Sequence, residues 1–516
     1  MATDFNARQS YLMRDLARGQ SRYTTLERYY DGDAPLPHGA ESAEKAYRRF
    51  QKKARLNIGA LAVAATRERM IISGFRTGAD GDENGDAVAR RLWKANNCDV
   101  LSSDIHNMML VFGEAYAMVG PPLSSGGFPV ITAEDPRQVE TKHHELDPQV
   151  LTDAIKVWRD GHEGIDFAYF YTPTRVEVFV KSTDNSMFSV DGWIYREDLS
   201  SDNPLGEIPI VKFKNIDEKG EFEPYLDLID RINHMILQRL VIVTTQAFKQ
   251  RAIQGNLPQY DADGNEIDYN GIFEPGPGAL WMLPEGTDIW ESGQTNIQDI
   301  ISAVRADIQD FAALTRTPMH YLSPDGANQS AEGAALAREG LVFKAEDRIA
   351  RVTPSWSKVM SLMFRWLGDE ERATLLDLEP IWKPAERYSM AERADANSKF
   401  QDIPFNSRMT LIGQFTPAEI AQMEVERAGQ TLFENIVTGQ NEPVAEIEEN
   451  AAFRDKAEAL GVMIRAGVTP ESAAVSVGLS GLEFRDVLPT TLKPSELLDA
   501  ETEAIVKNVE ETDGNA

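Results

Sequence analysis

The chain is 516 residues long and sets 82 acidic against 52 basic side chains, a formal net charge of −30. That length can bury a large core and divides into about two to four domains. The charge excludes a protein that grips nucleic acid through broad basic surfaces, since such a chain repels phosphates over most of its exterior. A chain of this balance that handles DNA keeps it unstuck, and acidity serving only solubility is the plain alternative. Cys98 is the sole cysteine, which rules out an intrachain disulfide or a cysteine metal cluster and fits a reducing, intracellular home. The first residues, MATDFNARQSYLMRDLARG, lack the apolar core of a signal peptide.

Residues 8–31 read as a helix ending in Leu26-Glu27-Arg28-Tyr29-Tyr30-Asp31-Gly32, and residues 52–72 as a second amphipathic helix leading to Ile71-Ile72-Ser73-Gly74-Phe75. Asp80-Gly81-Asp82-Glu83-Asn84-Gly85 has the opening oxygens and glycine of a calcium loop. The bidentate acid such a loop needs at its end falls on Arg91, so the stretch reads as a polar turn. Residues 86–120 give two helices and a strand. From there to about 213 the segments ITAEDPRQVE, TDAIKVWRD, DFAYFYTP, TRVEVFVKS, MFSVDGWIYR and IPIVKFKN are β-branched and aromatic between turn residues, which predicts an α+β domain with an antiparallel or mixed sheet.

Phe222–Arg251 carries apolar residues at Tyr225, Ile229, Ile232, Ile236, Leu240, Val243 and Ala247, the steps of one helix face. About 30 helical residues reach roughly 45 Å. Asp227, Asp230, Arg231 and Arg239 break the apolar run, so this is no membrane span. A second helix follows over Asn296–Thr315, with a stripe at Ile297, Ile300, Ile301, Val304, Ile308, Phe311 and Leu314. Asn296 caps its start and Pro318 enforces its stop. Between the two helices, Gln254–Thr295 holds eight acids (Asp261, Asp263, Glu266, Asp268, Glu274, Glu285, Asp288, Glu291) and no Lys or Arg. Its prolines and glycines make it turns and short strands.

Thr317–Gln329 reads as a short loop, and Ser330–Leu367 as a nearly continuous helix interrupted and kinked at Pro354. LEPIWKP then returns as a strand to the α+β domain. From about 385 the chain is helical, and residues 440–516 carry 16 acidic against 6 basic side chains, the last of them expected to fray.

No catalytic constellation has the required spacing: there is no GxxxxGK[ST], GxSxG, HExxH or CxxC. His143-His144-Glu145 with Asp147 could supply metal ligands, but adjacent histidines on a strand point to opposite faces. Asn328-Gln329-Ser330 matches a glycosylation sequon with no secretory signal behind it. No catalytic residue, metal site or cofactor is expected.

Tyr29-Tyr30-Asp31-Gly32, Leu92-Trp93 with Asn96 and Asn97, Phe112-Gly113-Glu114-Ala115-Tyr116, Ile208-Pro209-Ile210-Val211 leading to Asn215, the long helix behind it, and the AERADA stretch Ala391–Ala396 occur in an order that resembles the portal proteins of tailed bacteriophages, in the branch found in long-tailed siphoviruses. The resemblance covers roughly residues 10–430. It implies a portal-type α+β fold and a dodecameric ring around a DNA channel at one capsid vertex of the virion, assembled in the host cytoplasm. The parts it implies are an N-terminal arm (1–40), a wing (41–221 with 369–384 returning to it), stem helices (222–253 and 296–316) and a clip (254–295). A tunnel loop (317–329), a long kinked helix (330–367) and a helical crown with acidic tail (385–516) complete it.

On that mapping the stem and long helix run against the overall charge, and Arg231, Arg239, Lys249, Arg251, Lys344, Arg348 and Arg351 are expected to give weak, sequence-blind contacts to passing double-stranded DNA. Surface salt bridging is the alternative for each. Met319, His320, Tyr321, Asp325, Asn328 and Gln329 are expected to narrow the channel. The eight clip acids are expected to meet basic partners, first the large terminase subunit and then head–tail adaptors. Major capsid and scaffolding proteins are further implied partners, and nucleation of procapsid assembly an implied role. Two rival readings are a metal-dependent nuclease and a non-ring virion scaffold or adaptor.

Overall fold

A computed structural model describes residues 5–437, apart from 38–43, 80–84, 183–185, 248–250, 256, 270–285, 292, 294–295, 323–330, 387–389, 414 and 416, together with Ser476. The chain divides into two compact units, Met1–Ala421 and Gln422–Ala516.

Helix α1 (Ala7–Tyr30) opens with a reciprocal cap, the Asn6 side chain accepting from the Gln9 amide at 2.9 Å and Gln9 Oε1 from the Asn6 amide at 2.8 Å. Its first half buries Leu12, Met13 and Leu16 against an antiparallel sheet. Its second half sends Tyr23, Leu26 and Tyr29 into the main core. The stretch 52–72, expected as one helix, instead holds the last turn of α2 (Glu44–Ala54) and all of α3 (Ile58–Arg67), and ends where a strand begins at Ile72. The break falls where the Leu56 amide donates to Asn233 Oδ1 at 2.9 Å instead of to its own helix, and where Asn57 caps the new start.

Strand β1 (Ile72–Arg76) is followed by α4 (Ala87–Ala95) and α5 (Cys98–Phe112). The sheets are antiparallel throughout: β2 (Glu114–Gly120) lies between β3 (Val130–Glu134) and β10 (Ile210–Lys214). The larger sheet runs β4 (Val139–His143), β5 (Leu151–Asp160), β6 (Ile165–Tyr171) and β7 (Arg175–Ser182), with β8 (Ile194–Tyr195) and β9 (Ser201–Asp202) both pairing β7. Asp80–Asn84 lies outside the described residues.

The first stem helix is shorter than the apolar stripe implied. A 3-10 turn at Glu223–Tyr225 leads into α6 (Leu226–Ala247), and by Arg251 the chain is extended in β11 (Arg251–Gln254). The cause is a competing ladder, since β11 pairs β12 (Asp288–Glu291) from Arg251↔Glu291 to Gln254↔Asp288. Helix α7 (Ile297–Leu314) starts from Asn296, whose side chain accepts from the Gln298 amide at 3.1 Å. A short α8 (Met319–Leu322) precedes α9 (Ala331–Trp366).

Helix α9 runs through Pro354 without interruption. Proline removes one backbone donor there, and side chains on both sides are tied down. Thr353 Oγ1 donates to the Ile349 carbonyl at 2.8 Å and accepts from Trp382 Nε1 at 2.9 Å, and Ser355 Oγ donates to the Lys212 carbonyl at 2.8 Å. Trp356, fully buried, packs on Trp93 and Phe213 and donates to His106 Nε2 at 2.9 Å. Burial pushes the His106 imidazole down to about 3, so it stays neutral and able to accept that bond. The strand read in LEPIWKP is β13 (Glu379–Trp382), paired with β1. Three helices follow, α10 (Met390–Lys399), α11 (Phe405–Leu411) and α12 (Pro417–Val437).

Candidate functional site

Two helices and the insert between them form the candidate site. Tyr225 meets Phe311 edge-on at 6.5 Å and donates to the Leu314 carbonyl at 3.2 Å, while at the other end Arg251 pairs Glu291, so α6 and α7 are antiparallel. Ile232, Ile236, Leu237, Val304 and Phe311 are buried at their root, and Arg231 bridges to Asp307 at 2.8 Å. Further out the stripes are open, with Val243 exposed and Ile297, Ile300 and Ile301 only half-buried, and at the root Leu314 is exposed as well.

The root is fixed by a buried charge cluster. The loop before α6 presses so closely on the corner after α5 that only glycine fits on either side. A Cβ on Gly113, whose φ is +89°, would lie 2.2 Å from the Glu218 carbonyl oxygen, and one on Gly220 would lie 2.2 Å from that of Val111. This delivers Glu221 to the interior. Its carboxylate accepts from Arg348 Nε at 2.7 Å and from Asn215 Nδ2 at 3.2 Å, and stands 3.5 Å from Lys344 Nζ. Lys344 also donates to the Thr315 carbonyl at 2.8 Å, capping the end of α7 where Arg316 turns left-handed at φ 51°. Burial raises the Glu221 carboxyl, but Lys344 and Arg348 outweigh it and hold it below the usual range. Burial lowers Lys344, because one carboxylate shared by two cations compensates it incompletely.

This geometry revises the expected DNA contacts. Lys344 and Arg348 are buried on Glu221 rather than presented to solvent, because an α9 turn that seals the core cannot also expose them. Arg351 is exposed but shares Asp347 with Arg348, at 3.0 and 2.5 Å. Arg231 is exposed beside Asp307, and Arg239 is half-buried. Arg251 sits on the ribbon strand, not on the helix, and Lys249 lies outside the described residues.

Of the loop residues, Met319, His320 and Tyr321 form α8, with His320 exposed and its ring 4.8 Å from that of Tyr321. Asp325, Asn328 and Gln329 lie outside the described residues, as do Glu274 and Glu285 of the insert. Asp263, Glu266, Asp268, Asp288 and Glu291 are exposed. Asp261 is exposed too, but its carboxylate accepts from the Asp263 and Asn265 amides at 2.9 and 2.8 Å, which lowers its pKa and holds the turn. Sequence reasoning passed over Tyr260 and Trp290, which stand 61% and 55% exposed among these acids. Aromatic side chains in an otherwise polar insert were the available signal. It also passed over Glu221, an acid with no local pattern around it.

His143 Nδ1 lies 2.6 Å from the Pro148 carbonyl oxygen, and no group of three His, Cys, Asp or Glu among the described residues is placed to hold a metal. No helix among the described residues is long and apolar enough to cross a membrane. Burial pushes the Cys98 thiol up to about 12.

These elements define a helical hairpin with an insert: antiparallel helices rooted in an α+β body and carrying an acidic β-ribbon at the far end. The profile of the family described as "Phage portal protein, SPP1 Gp6-like" matches residues 10–431, and the chain belongs to that family. It is 26% identical over 360 residues to the portal protein of Mycobacterium phage D29, an alignment spanning 66% of this chain and 71% of that one. Among solved structures, the neck of an empty GTA particle with C6 symmetry matches 76% of this chain and 93% of that one at 11% identity and a TM-score of 0.42. The neck of a native GTA particle with C12 symmetry matches 76% and 98% at 12% identity and a TM-score of 0.37.

Replacing Glu221 by Ala leaves two buried cations unpaired and is expected to cost about 3–5 kcal/mol in urea unfolding. The depressed carboxyl contributes stability that is complete above the ordinary glutamate range and lost as pH falls below it through the folded value. In Glu221→Gln that acid dependence should flatten; an unchanged urea midpoint in the first variant, or an unchanged acid limb in the second, would contradict the role assigned to the cluster.

Proposed function

We propose that the chain closes into a ring of twelve copies at one capsid vertex, with the stem around a channel through which DNA enters during packaging and leaves at ejection. The role is structural and mechanical rather than catalytic. The observation that carries the reading is the open apolar face of the stem. In a single subunit Val243 and Leu314 meet solvent and Ile297, Ile300 and Ile301 are half-covered. A heterologous ring contact would bury such a face, and a closed ring repeats it without leaving an end.

The acidic insert would dock basic partners, the packaging motor first and head–tail adaptors afterwards, with Trp290 and Tyr260 as aromatic anchors among the acids. Residues 317–329 would narrow the bore. Arg231, Arg239 and Arg351 remain candidates for weak phosphate contact. Capsid and scaffolding proteins would meet the assembled ring, which would seed the procapsid and remain in the virion.

Mass photometry followed by negative-stain imaging of the purified protein should find a ring near twelve chains with a central hole. A discrete small oligomer without a hole would defeat the reading. Neutralising Asp263, Glu266, Asp268, Asp288 and Glu291 together should weaken motor and adaptor binding while leaving the ring intact; normal engagement of both partners would remove the docking role. Shortening 317–329 should let packaged genomes leak, and unaltered packaging and retention would remove the loop from the channel.

A further inference from the structure

Helix α2 is the most basic of the described elements in an acidic chain. Over Glu44–Ala54 it sets Lys45, Arg48, Arg49, Lys52 and Lys53 against Glu44 alone. At about 100° per residue these five cations fall within an arc of roughly 140°. Ala54 is fully buried and Phe50 half-buried on the opposite side, in the core cluster that holds Ile232 and Ile236 of α6. The helix is therefore fixed along the stem with its basic face outward. Arg48, Arg49, Lys52 and Lys53 are exposed, and Arg49, Lys52 and Lys53 make no ion pair among the described residues. Arg55, just beyond, is already held by Asp33 and the Ala34 carbonyl.

We propose that the outer face of α2 is a binding site for the phosphate backbone of duplex DNA, and that it supplies the cationic contacts that the buried Lys344 and Arg348 cannot. The inference rests on the conduit reading above and names its ligand-contacting surface.

Three observations select this ligand. The apolar side of α2 is spent on α6, so no face remains to enter a lipid surface. Among the described side chains from 48 to 55 no large apolar one is exposed, whereas the centre of a protein interface is poor in charge and anchored by aromatic or apolar groups. Phe50, the aromatic among those described side chains, is turned into the core and offers unpaired bases no open ring to stack on, which favours duplex over single strand. An eleven-residue helix spans about 16 Å, the axial length over which a duplex presents about nine phosphate charges.

The test compares the full-length protein with the variant R49Q/K52Q/K53Q and the charge-keeping R49K/K52R/K53R. Binding of a fluorescent 30-base-pair duplex is followed from low to moderate salt on ring fractions isolated by sizing. The glutamine variant should still form rings, bind at least about tenfold more weakly at low salt, and lose at least about 2.7 from the slope of log K against log salt, about 0.9 for each phosphate contact. The charge-keeping variant should match the parent. A parental protein that forms no ring would remove the conduit reading and this inference with it. Parental and glutamine rings with the same slope would overturn the inference and leave that reading standing. Loss of the ring in the glutamine variant alone would mean that α2 contacts a second copy, and tighter binding to oligo-dT than to duplex would mean single-strand recognition; each overturns the proposal.

Discussion

Glu221 is taken out of water by a loop that has no room for a side chain at Gly220, and once there it must be paired. Arg348 and Lys344 pair it, and in doing so they bind α9 to the root of α6. Through the Lys344 contact to the Thr315 carbonyl they also bind the end of α7. One carboxylate thus fixes where the two stem helices leave the body and where the chain enters residues 317–329. Taking three charges into the interior is costly and hydrophobic packing would hold the same elements. What charge adds is register, because a carboxylate that must reach two donors and an amide tolerates no slip of α9 against α7.

The two long helices and the insert between them were legible because their signals are local. Stripes at three- and four-residue steps mark α6 and α7, and eight acids with no Lys or Arg among them mark the insert. The α+β class was legible from segments such as TRVEVFVKS, which became strand β7. The helix ends were less so. Val243 and Ala247 continue the periodicity, yet the chain beyond belongs to the β11–β12 ladder, whose second strand lies about 40 residues on. The break between α2 and α3 depends on Asn233, and the continuity of α9 through Pro354 on Trp382 and Lys212. None of these partners is visible from the neighbouring sequence.

The basic residues illustrate the same limit. Lys344 and Arg348 read as surface cations on a helix of mixed charge, and only the position of Glu221 turns them inward. The cations of α2 were hidden differently: the expected helix began at residue 52 and left Lys45, Arg48 and Arg49 outside it. Charge counted over a whole element says little until the face that carries it is known.

The pairing of β1 with β13 also bears on how the subunit is made. Ser73 donates to the Ile381 carbonyl 308 positions away, and Arg69 to the Ala385 carbonyl 316 positions away. The His106–Trp356 bond spans 250. A ribosome therefore delivers the stem and its insert well before the strand that completes the body beneath them. During that interval the nascent chain holds an open β1 edge and an uncovered α5 face, and slow closure of such distant contacts lengthens it. Synthesis rate and chaperone supply, rather than final stability, would then set the yield of subunits competent to assemble.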